Sequence, residues 1–481
     1  MTPERSIRLL ALILLLGVLG DALLRVGPWS LNFMLWVLAL SLTAWIAVPA
    51  NPSPGRTGVA WWLALAVTFA ALSVIRDSPF LRGWNVVAVL AALTTAALRS
   101  SGMDLVASRL PHFLKGAMHT ATNVATGAVP LLLRDVSWPE GSNRRIQRIV
   151  AGPALGIALA VPVVLVFGGL FASADPVFER TTTGLFDFGF GTVASHVLFA
   201  AVLAWASAGY FRSLMHPVPG GDPVAEFAGR ARFATIGIPL VAVTALFAAF
   251  VTIQATYLFG GEEWVRRASG LTYADYARRG FFELVTATAL VVPMLLGARW
   301  LLNGDDRAAL RRFRALTLGL LILVALVAAS ALWRMGLYVE AYGLTEDRFY
   351  ASAFMLWTGG VLGLFLYVTL RDRTQGFALG AFLGGLALLA GLNAVSPDAI
   401  IARVNLNRLN TGHELDVSYL RSLSSDAVPA IVSRWDDLDR TQREALYAAF
   451  AERHAAPNQD ADWRTWNLSR RRAERALRSI P

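Results

Sequence analysis

The stretch IRLLALILLLGVLGDALL, residues 7–24, decides the fold class of this chain. It is a largely apolar run in which only Arg8 and Asp21 are charged, and about 20 such residues cross the ~30 Å hydrocarbon core of a bilayer as an α-helix. The run is too long for the apolar region of a signal peptide, and no small-residue cleavage site separates it from the next apolar run. We therefore predict a retained transmembrane helix at this position.

Composition extends that prediction to the whole chain. Hydrophobic residues make up 56% of the 481 positions, and the mean hydropathy of +0.52 exceeds that of ordinary soluble proteins. The apolar runs are continuous and do not alternate with polar residues, which favours helices over a β-barrel. We predict an all-α polytopic bundle of about eleven spans. The runs begin near Ile7, Leu31, Gly58, Phe80, Ile149, Thr192, Phe233, Phe281, Ala315, Ala351 and Phe377.

Charge is the second general feature of the chain. The formal net charge of +10 comes from 43 Lys and Arg residues, of which only Lys115 is a lysine. Their distribution between the spans is typical of a positive-inside topology signal, and we predict no nucleic-acid partner. With residue 1 in the cytoplasm, the inner segments hold about twice as many basic residues as the outer loops. We predict a bacterial cytoplasmic (inner) membrane protein embedded in the lipid bilayer, with a cytoplasmic N-terminus and an extracytoplasmic C-terminus.

The spacing of the apolar runs divides the chain into four parts. Short turns that contain Pro and Gly join the first four spans within residues 1–98. An interfacial or cytoplasmic connection follows over residues 99–148, and residues 149–395 hold seven further spans. Residues 396–481 are polar enough to form a small soluble helical domain. We expect a protein partner, if the chain has one, to bind through this domain.

The long connection contains a basic helix face. His112, Lys115 and His119 recur there at helical spacing, apart from an apolar face that includes Phe113. Such a face is typical of a helix that lies on anionic lipid headgroups. The two histidines lack an accompanying carboxylate, and the chain has no cysteine. We therefore predict no metal site and no cofactor.

Ionisable side chains beside the spans mark the candidate functional positions, because each is costly in a bilayer unless it is paired or hydrated. In LTYADYARRGFFELV, residues 271–285, Asp275, Arg279 and Glu283 fall on one helix face at i, i+4 and i+8. Arg334 lies near the end of a later span, where it either snorkels to the interface or pairs with Glu283. The candidate polar cluster is Asp175, Glu179, Asp275, Arg279, Glu283, Arg334, Tyr338, Glu340 and Tyr342.

Several motifs resemble a known family. They are ASADPVF, LTYADYARRGFFEL, LYVEAYGLTEDR, SPDAIIARVNLNR and LDVSYLRSLSSDAVPAI, in this order between about residues 150 and 436. Together they resemble bacterial multi-pass membrane proteins that are classified only as a domain of unknown function, of the DUF4153/DUF4173 type. The resemblance implies a multi-pass fold and an inner-membrane location. It implies no reaction, ligand or catalytic residue.

Enzyme motifs are absent from the sequence, which contains no G-x-S-x-G elbow, Gly-rich phosphate loop, H-E-x-x-H or aspartate-rich metal motif. We therefore predict a non-catalytic protein that senses or scaffolds at the cell envelope. Two alternatives stay open. The first is a transporter of a small or lipid-like solute, and the second is a membrane-embedded enzyme that acts on a lipid-linked substrate. These patterns do not determine the oligomeric state.

Overall fold

The computed structural model describes residues 2–48, 56–137, 190–218, 229, 231–269, 281–302, 306–371, 375–454 and 462–480, with residues 168, 171, 174, 175 and 177. Across these residues the regular secondary structure is helical, and a single isolated β-bridge joins Ala231 to Leu302. Nine helices in this part of the chain are long and apolar enough to cross a membrane, and Leu31–Ala47 is a shorter apolar helix. The predicted all-α polytopic fold is confirmed. The run predicted near Ile149 lies outside the described residues.

The chain divides into two compact units, and each contains candidate spans. The first unit comprises Met1–Asp104, His112–Pro219 and Pro457–Leu468. The second unit comprises Leu105–Pro111, Gly220–Ala456 and Ser469–Pro481. Each unit is therefore built from segments that are distant in the sequence.

The first unit is a bundle of long helices joined by short turns. Its helices are α1 (Pro3–Leu24), α2 (Leu31–Ala47), α3 (Arg56–Ile75), α4 (Pro79–Ser100), α5 (Leu110–Thr126, from His112 onward) and α6 (Phe190–Met215). Pro3 and Pro79 lie in the first turns of α1 and α4, where a missing amide hydrogen costs no helical hydrogen bond. Helix α1 packs along α2 and α6, and α3 packs along α4.

Two glycines allow helices of the first unit to approach closely. A Cβ on Gly17 would lie 2.4 Å from the Ala200 carbonyl oxygen of α6. A Cβ on Gly209 of α6 would lie 2.1 Å from the Asn123 carbonyl oxygen of α5. Both distances are shorter than a van der Waals contact, so the observed backbone separations require a residue without a side chain.

We expect Gly209→Ala to separate α5 from α6 and to destabilise the first unit by about 2 kcal/mol, as overpacking does. Gly83→Ala is the matched control, because a Cβ on Gly83 meets no atom within 4 Å and alanine has the higher helix propensity. Thermal unfolding of the purified protein in detergent would compare the two variants with the original chain. An unchanged midpoint for Gly209→Ala would contradict the close approach.

The second unit begins with five long apolar helices and continues with shorter ones. The long helices are α7 (Phe233–Ser269), α8 (Phe281–Leu301), α9 (Arg307–Tyr342), α10 (Glu346–Leu370) and α11 (Phe377–Val395). The shorter helices are α12 (Pro397–Asn407), α13 (Val417–Ser422), α14 (Val428–Val432), α15 (Arg440–His454) and α16 (Leu468–Arg478). Helix α9 begins before the apolar run predicted near Ala315, because Asp306 Oδ1 accepts from the amides of Ala308 and Ala309 at 2.9 Å.

Two large apolar cores lie within the second unit, beside a smaller cluster of Ala331, Met335 and Met355. The span core joins the long helices, and its most buried members include Leu295, Phe313, Leu320, Val324 and Phe365. The tail core joins the shorter helices, and its most buried members include Ile401, Leu420, Ile431, Leu446 and Phe450. Leu344 and Phe349, from the α9–α10 turn and the start of α10, also pack against the tail core. The short helices therefore dock on the beginning of a candidate span.

Candidate functional site

The predicted polar cluster is only partly visible in the described structure. Asp175 is exposed, and its Oδ1 accepts from the Val177 amide at 2.7 Å. Glu283 is exposed in the first turn of α8. The predicted pairing of Glu283 with Arg279 or Arg334 therefore stays a prediction. Outside the described residues lie Glu179, Asp275 and Arg279.

The remaining predicted residues lie at the C-terminal end of α9. Arg334 is buried, at 8% exposure, whereas Glu340 and Tyr342 are exposed. The rings of Tyr338 and Tyr342 contact edge to face, with centroids 5.2 Å apart. The Arg348 guanidinium lies 3.9 Å from the centre of the Tyr338 ring, in cation–π geometry. The structure thus brings the two tyrosines together at the end of α9.

The α9–α10 turn is held by side chains of the segment that follows the last span. Gly343 has φ +81°, and a Cβ there would lie 2.7 Å from Asn405 Oδ1. The Asn405 side chain accepts from the Leu344 amide and donates to the Leu344 carbonyl, both at 2.8 Å. Arg408 Nη2 donates to the Ala341 carbonyl at 2.8 Å. Both polar groups of Leu344 are therefore satisfied by one side chain of α12.

A group of carboxylates and hydroxyls lies next to this turn, and we call it the acid cluster: Glu346, Asp398, Ser424, Asp426 and Ser469. Asp398 is 1% exposed, and the Ser424 amide donates to its Oδ2 at 3.2 Å. The Ser424 hydroxyl also donates to Asp398, and the Glu346 carboxyl hydrogen-bonds it. A hydrogen bond between two carboxyl groups requires a proton on one of them. Burial, and next the charge of Asp398, raise the pKa of Glu346 to about 7, so its carboxyl holds a proton more readily than an exposed glutamate does.

The other carboxylate of the acid cluster is held by α16. Asp426 is 7% exposed, and its Oδ1 accepts from the Ser469 hydroxyl at 2.8 Å. The Asp426 amide lies 3.3 Å from the Ser424 hydroxyl oxygen, which accepts from it. Burying an ionised carboxylate is costly unless hydrogen bonds replace its hydration. The Ser469 hydroxyl supplies part of that replacement.

Tyr419 closes the acid cluster from α13. Its hydroxyl oxygen accepts from the Glu346 amide at 2.7 Å, which satisfies one of the amides that a helix start leaves without an intrahelical partner. Burial raises the pKa of Tyr419 to about 12, so the phenol stays protonated at neutral pH. Asp416 Oδ1 in turn accepts from the Tyr419 amide at 2.9 Å and caps α13. The start of α10 is therefore capped by a residue of the tail core.

Sequence reasoning missed Asp398, Tyr419, Ser424 and Asp426 as candidates, although all four lie in motifs that carry the family resemblance. A signal was available in the sequence, because three of the family motifs contain carboxylate or hydroxyl side chains. These motifs are LYVEAYGLTEDR, SPDAIIARVNLNR and LDVSYLRSLSSDAVPAI. Asp398 follows Pro397 at a helix start. Exposed carboxylates also occur at helix starts, because they interact favourably with the helix dipole, so this position alone does not indicate burial. Among the described residues, no three His, Asp or Glu side chains are placed to hold a metal ion.

A second polar network lies in the first unit. Asp135 Oδ2 accepts from Arg212 Nε and from His216 Nε2, both at 3.0 Å. Arg212 Nη1 donates to Asn123 Oδ1 at 2.6 Å. Burial, together with the charges of Arg212 and His216, lowers the pKa of His119 below its usual value. His119, which was predicted on the basic face of α5, therefore lies close to the charged side chains of this network.

Comparison with protein families gives a match that covers most of the chain. A family model described as a domain of unknown function (DUF4153) matches residues 63–433, more than half of the chain. The match confirms the resemblance found in the sequence motifs, and Glu346, Asp398, Ser424 and Asp426 lie inside it. No curated protein and no solved structure matches the chain. The family match and the long apolar helices identify an integral, multi-pass membrane protein.

Proposed function

We propose, from the premise that the chain belongs to the DUF4153 family of domains of unknown function, that it senses or scaffolds at the bacterial cell envelope without catalysing a reaction. The acid cluster carries this proposal, because its carboxylates bind hydroxyl, amide and carboxyl donors of the protein itself. Hydrogen bonds between buried polar groups specify one arrangement of the elements that they join. The acid cluster thus forms a joint between α10 and the tail core.

Such a joint couples a membrane helix to the short helices. Glu346 begins α10, Asp398 lies in α12, and Ser424 lies between α13 and α14. A partner that displaces α12–α14 must break hydrogen bonds at the first turn of a candidate span. Binding to the tail core is then energetically linked to the position of α10. A sensor requires that linkage, and a scaffold requires only that the tail core be held in one orientation.

The placement of the C-terminal segment supports a topology for this proposal. Arg464 donates to the Ala22 carbonyl, and Asn467 donates to the Arg76 carbonyl at 2.9 Å. Ala22 and Arg76 lie at the ends of α1 and α3 that are opposite to the Pro3 end of α1. Together with the excess of arginine in the predicted inner segments, this favours a cytoplasmic Pro3 end and an extracytoplasmic C-terminal region. The membrane that we propose is the bacterial inner membrane.

Transport of a small or lipid-like solute is the second candidate function, and buried polar atoms inside the spans favour it. Within the described residues, Gln254 Nε2, Thr288 Oγ1 and Ser330 Oγ are buried without a hydrogen-bond partner. Each such atom costs about 1–3 kcal/mol, and polar interior positions in spans often line solute pathways. Arg334 is also buried, one turn from Ser330 on α9.

A single-cysteine experiment tests the first proposal, because the chain has no cysteine of its own. Arg440 is 92% exposed on α15 and Arg8 is 81% exposed on α1, so cysteine at either position should react readily. A membrane-impermeant, thiol-reactive photocrosslinker is applied to intact cells. We expect Arg440→Cys to form a discrete protein adduct, and we expect Arg8→Cys to react only after the membrane is opened.

Adding Asp398→Ala to Arg440→Cys provides the functional control, because it disrupts the joint without changing the labelled site. We expect the adduct to be lost or strongly reduced while the amount of membrane-inserted protein is retained. Reaction of Arg440→Cys only after membrane opening would overturn the extracytoplasmic placement. The absence of any protein adduct, or an adduct unaffected by Asp398→Ala, would contradict sensing or scaffolding through the tail core.

A further inference from the structure

We propose that the first unit binds the phosphate headgroup of an anionic phospholipid in a cavity at the Pro3 end of α1. The cavity, which we call the basic pocket, has a volume of about 370 Å³. It lies between the start of α1, the end of α2, the start of α3 and the end of α6. The lining residues that matter to this proposal are Arg5, Arg8, Arg56, Leu12, Ile46 and Met215.

Two of the arginines are held in place by the end of α2. Arg5 Nη2 donates to the Ala47 carbonyl at 3.1 Å, and Arg56 Nη2 donates to the Trp45 carbonyl at 3.0 Å. The last carbonyls of a helix have no intrahelical donor, so they anchor the guanidinium groups. Arg56 also lies over the Trp45 ring, 4.5 Å from its centre. The two guanidinium groups are thereby oriented before any ligand binds.

The anchored arginines keep hydrogen-bonding capacity for an anion. A guanidinium has five N–H donors, and each of these two arginines directs one nitrogen to the end of α2. Within the described residues, Arg56 Nε is buried and has no hydrogen-bond partner. A planar guanidinium matches the paired oxygens of a phosphate. A phosphate oxygen in the pocket would therefore satisfy a donor that is otherwise buried at a cost.

The charge of the basic pocket favours an anion over a neutral ligand. Three arginines line it, whereas Glu4 is the single carboxylate of its lining. Glu4 and Arg8 are 4.0 Å apart, and both side chains are more than 80% exposed. An exposed pair of this kind contributes little, so Glu4 does not neutralise the two anchored guanidinium groups. A phosphodiester, with one negative charge, suits this excess of positive charge.

The apolar part of the lining distinguishes a lipid from a soluble phosphate. Leu12, Ile46 and Met215 line the pocket beside the arginines, and Ile46 is 60% exposed on the surface of α2. The pocket lies at the ends of candidate spans, which is the depth of the lipid headgroups. A phosphate ester with attached hydrocarbon chains contacts both parts of the lining, whereas inorganic phosphate contacts only the arginines.

Lipid-dependent thermal unfolding of the full chain in detergent tests this inference. Phosphatidylglycerol should raise the midpoint more than phosphatidylcholine does, because only the former carries net negative charge. The double variant Arg5→Gln/Arg56→Gln should weaken phosphatidylglycerol binding by at least about tenfold, since it removes two charge-assisted contacts. Arg440→Gln/Arg472→Gln removes the same charge from exposed positions and should leave binding unchanged.

Two soluble phosphate compounds, tested in the same way, distinguish a lipid ligand from a soluble one. Inorganic phosphate and glycerol 3-phosphate should each give a much smaller shift than phosphatidylglycerol. An equal shift from either soluble probe would overturn the lipid assignment, as would equal shifts from the two lipids. If the double variant does not fold, Arg8→Gln alone serves, because Arg8 is 81% exposed. It should weaken phosphatidylglycerol binding by a smaller factor, and unchanged selectivity for the anionic lipid would contradict the proposal.

Discussion

Replacement of Asp398 by alanine should release the tail core from the first turn of α10. The carboxyl group is 1% exposed, accepts from the Ser424 amide and the Ser424 hydroxyl, and forms a hydrogen bond with the Glu346 carboxyl. Its removal takes a hydrogen-bond partner from these partly buried groups, and we expect a loss of about 3 kcal/mol of local stability. Tryptic cleavage within residues 397–454 should then accelerate about 100-fold, because cleavage follows the population of the opened form.

Two variants at the neighbouring positions make this expectation specific. Asp347→Ala removes an exposed carboxylate beside Glu346 and should leave the cleavage rate unchanged. Glu346→Gln keeps a side-chain donor for Asp398 without a titratable proton, so the joint should stay closed. Equal resistance of Asp398→Ala and Asp347→Ala to trypsin would contradict the claim that the acid cluster holds the tail core to α10. Faster cleavage in Glu346→Gln than in Asp398→Ala would show that a charge, rather than a donor, is needed at position 346.

Replacement of Asn467 by alanine should detach the segment Trp463–Asn467 from the end of α3, within the first unit. Asn467 is 2% exposed, and its amide donates to the carbonyls of Ser73 and Arg76 at 3.1 and 2.9 Å. These carbonyls lie at the end of α3, where a helix has no donor of its own. Ser30 adds a hydrogen bond of 2.7 Å to the Trp466 carbonyl.

We expect Asn467→Ala to cost about 2 kcal/mol and to speed hydrogen exchange of the amides at residues 463–467 roughly 30-fold. Asn467→Asp should cost more, because a carboxylate facing two carbonyls replaces both donors by acceptors. Ser479→Ala is the control, since the Ser479 hydroxyl donates only to the nearby Ala476 carbonyl at 2.7 Å in the described structure. Unchanged exchange in Asn467→Ala would disprove the docking of this segment.

Part of the candidate site followed from local geometry and could be predicted from the sequence. Tyr338 and Tyr342 of the candidate polar cluster are four residues apart in the sequence, and their ring centroids are 5.2 Å apart. Residues at i and i+4 meet on any α-helix, so this contact needs no knowledge of the rest of the chain. Arg334 was predicted near the end of the same span, and burial places it inside the second unit. The roles of these residues stay predictions.

The acid cluster could not be predicted in this way. In the sequence, Asp398 is a carboxylate after a proline at a helix start, a pattern that is as common on exposed helices as on buried ones. Its burial depends on Ser424, which is 26 residues away, and on the start of α10. A local pattern does not specify which hydroxyl will reach which carboxylate, because that choice depends on how separate helices pack.

The sequence by itself determined the fold class. A run such as residues 7–24 is apolar except at Arg8 and Asp21, and in lipid only a helix satisfies every backbone group within one segment. That requirement is local and holds for each span independently. The tertiary structure alone decided that Asn467 reaches Ser73, 394 residues earlier, and that the Ser424 hydroxyl donates to Asp398. These contacts depend on the packing of distant helices, and buried polar groups form hydrogen bonds only with the partners that packing brings within reach.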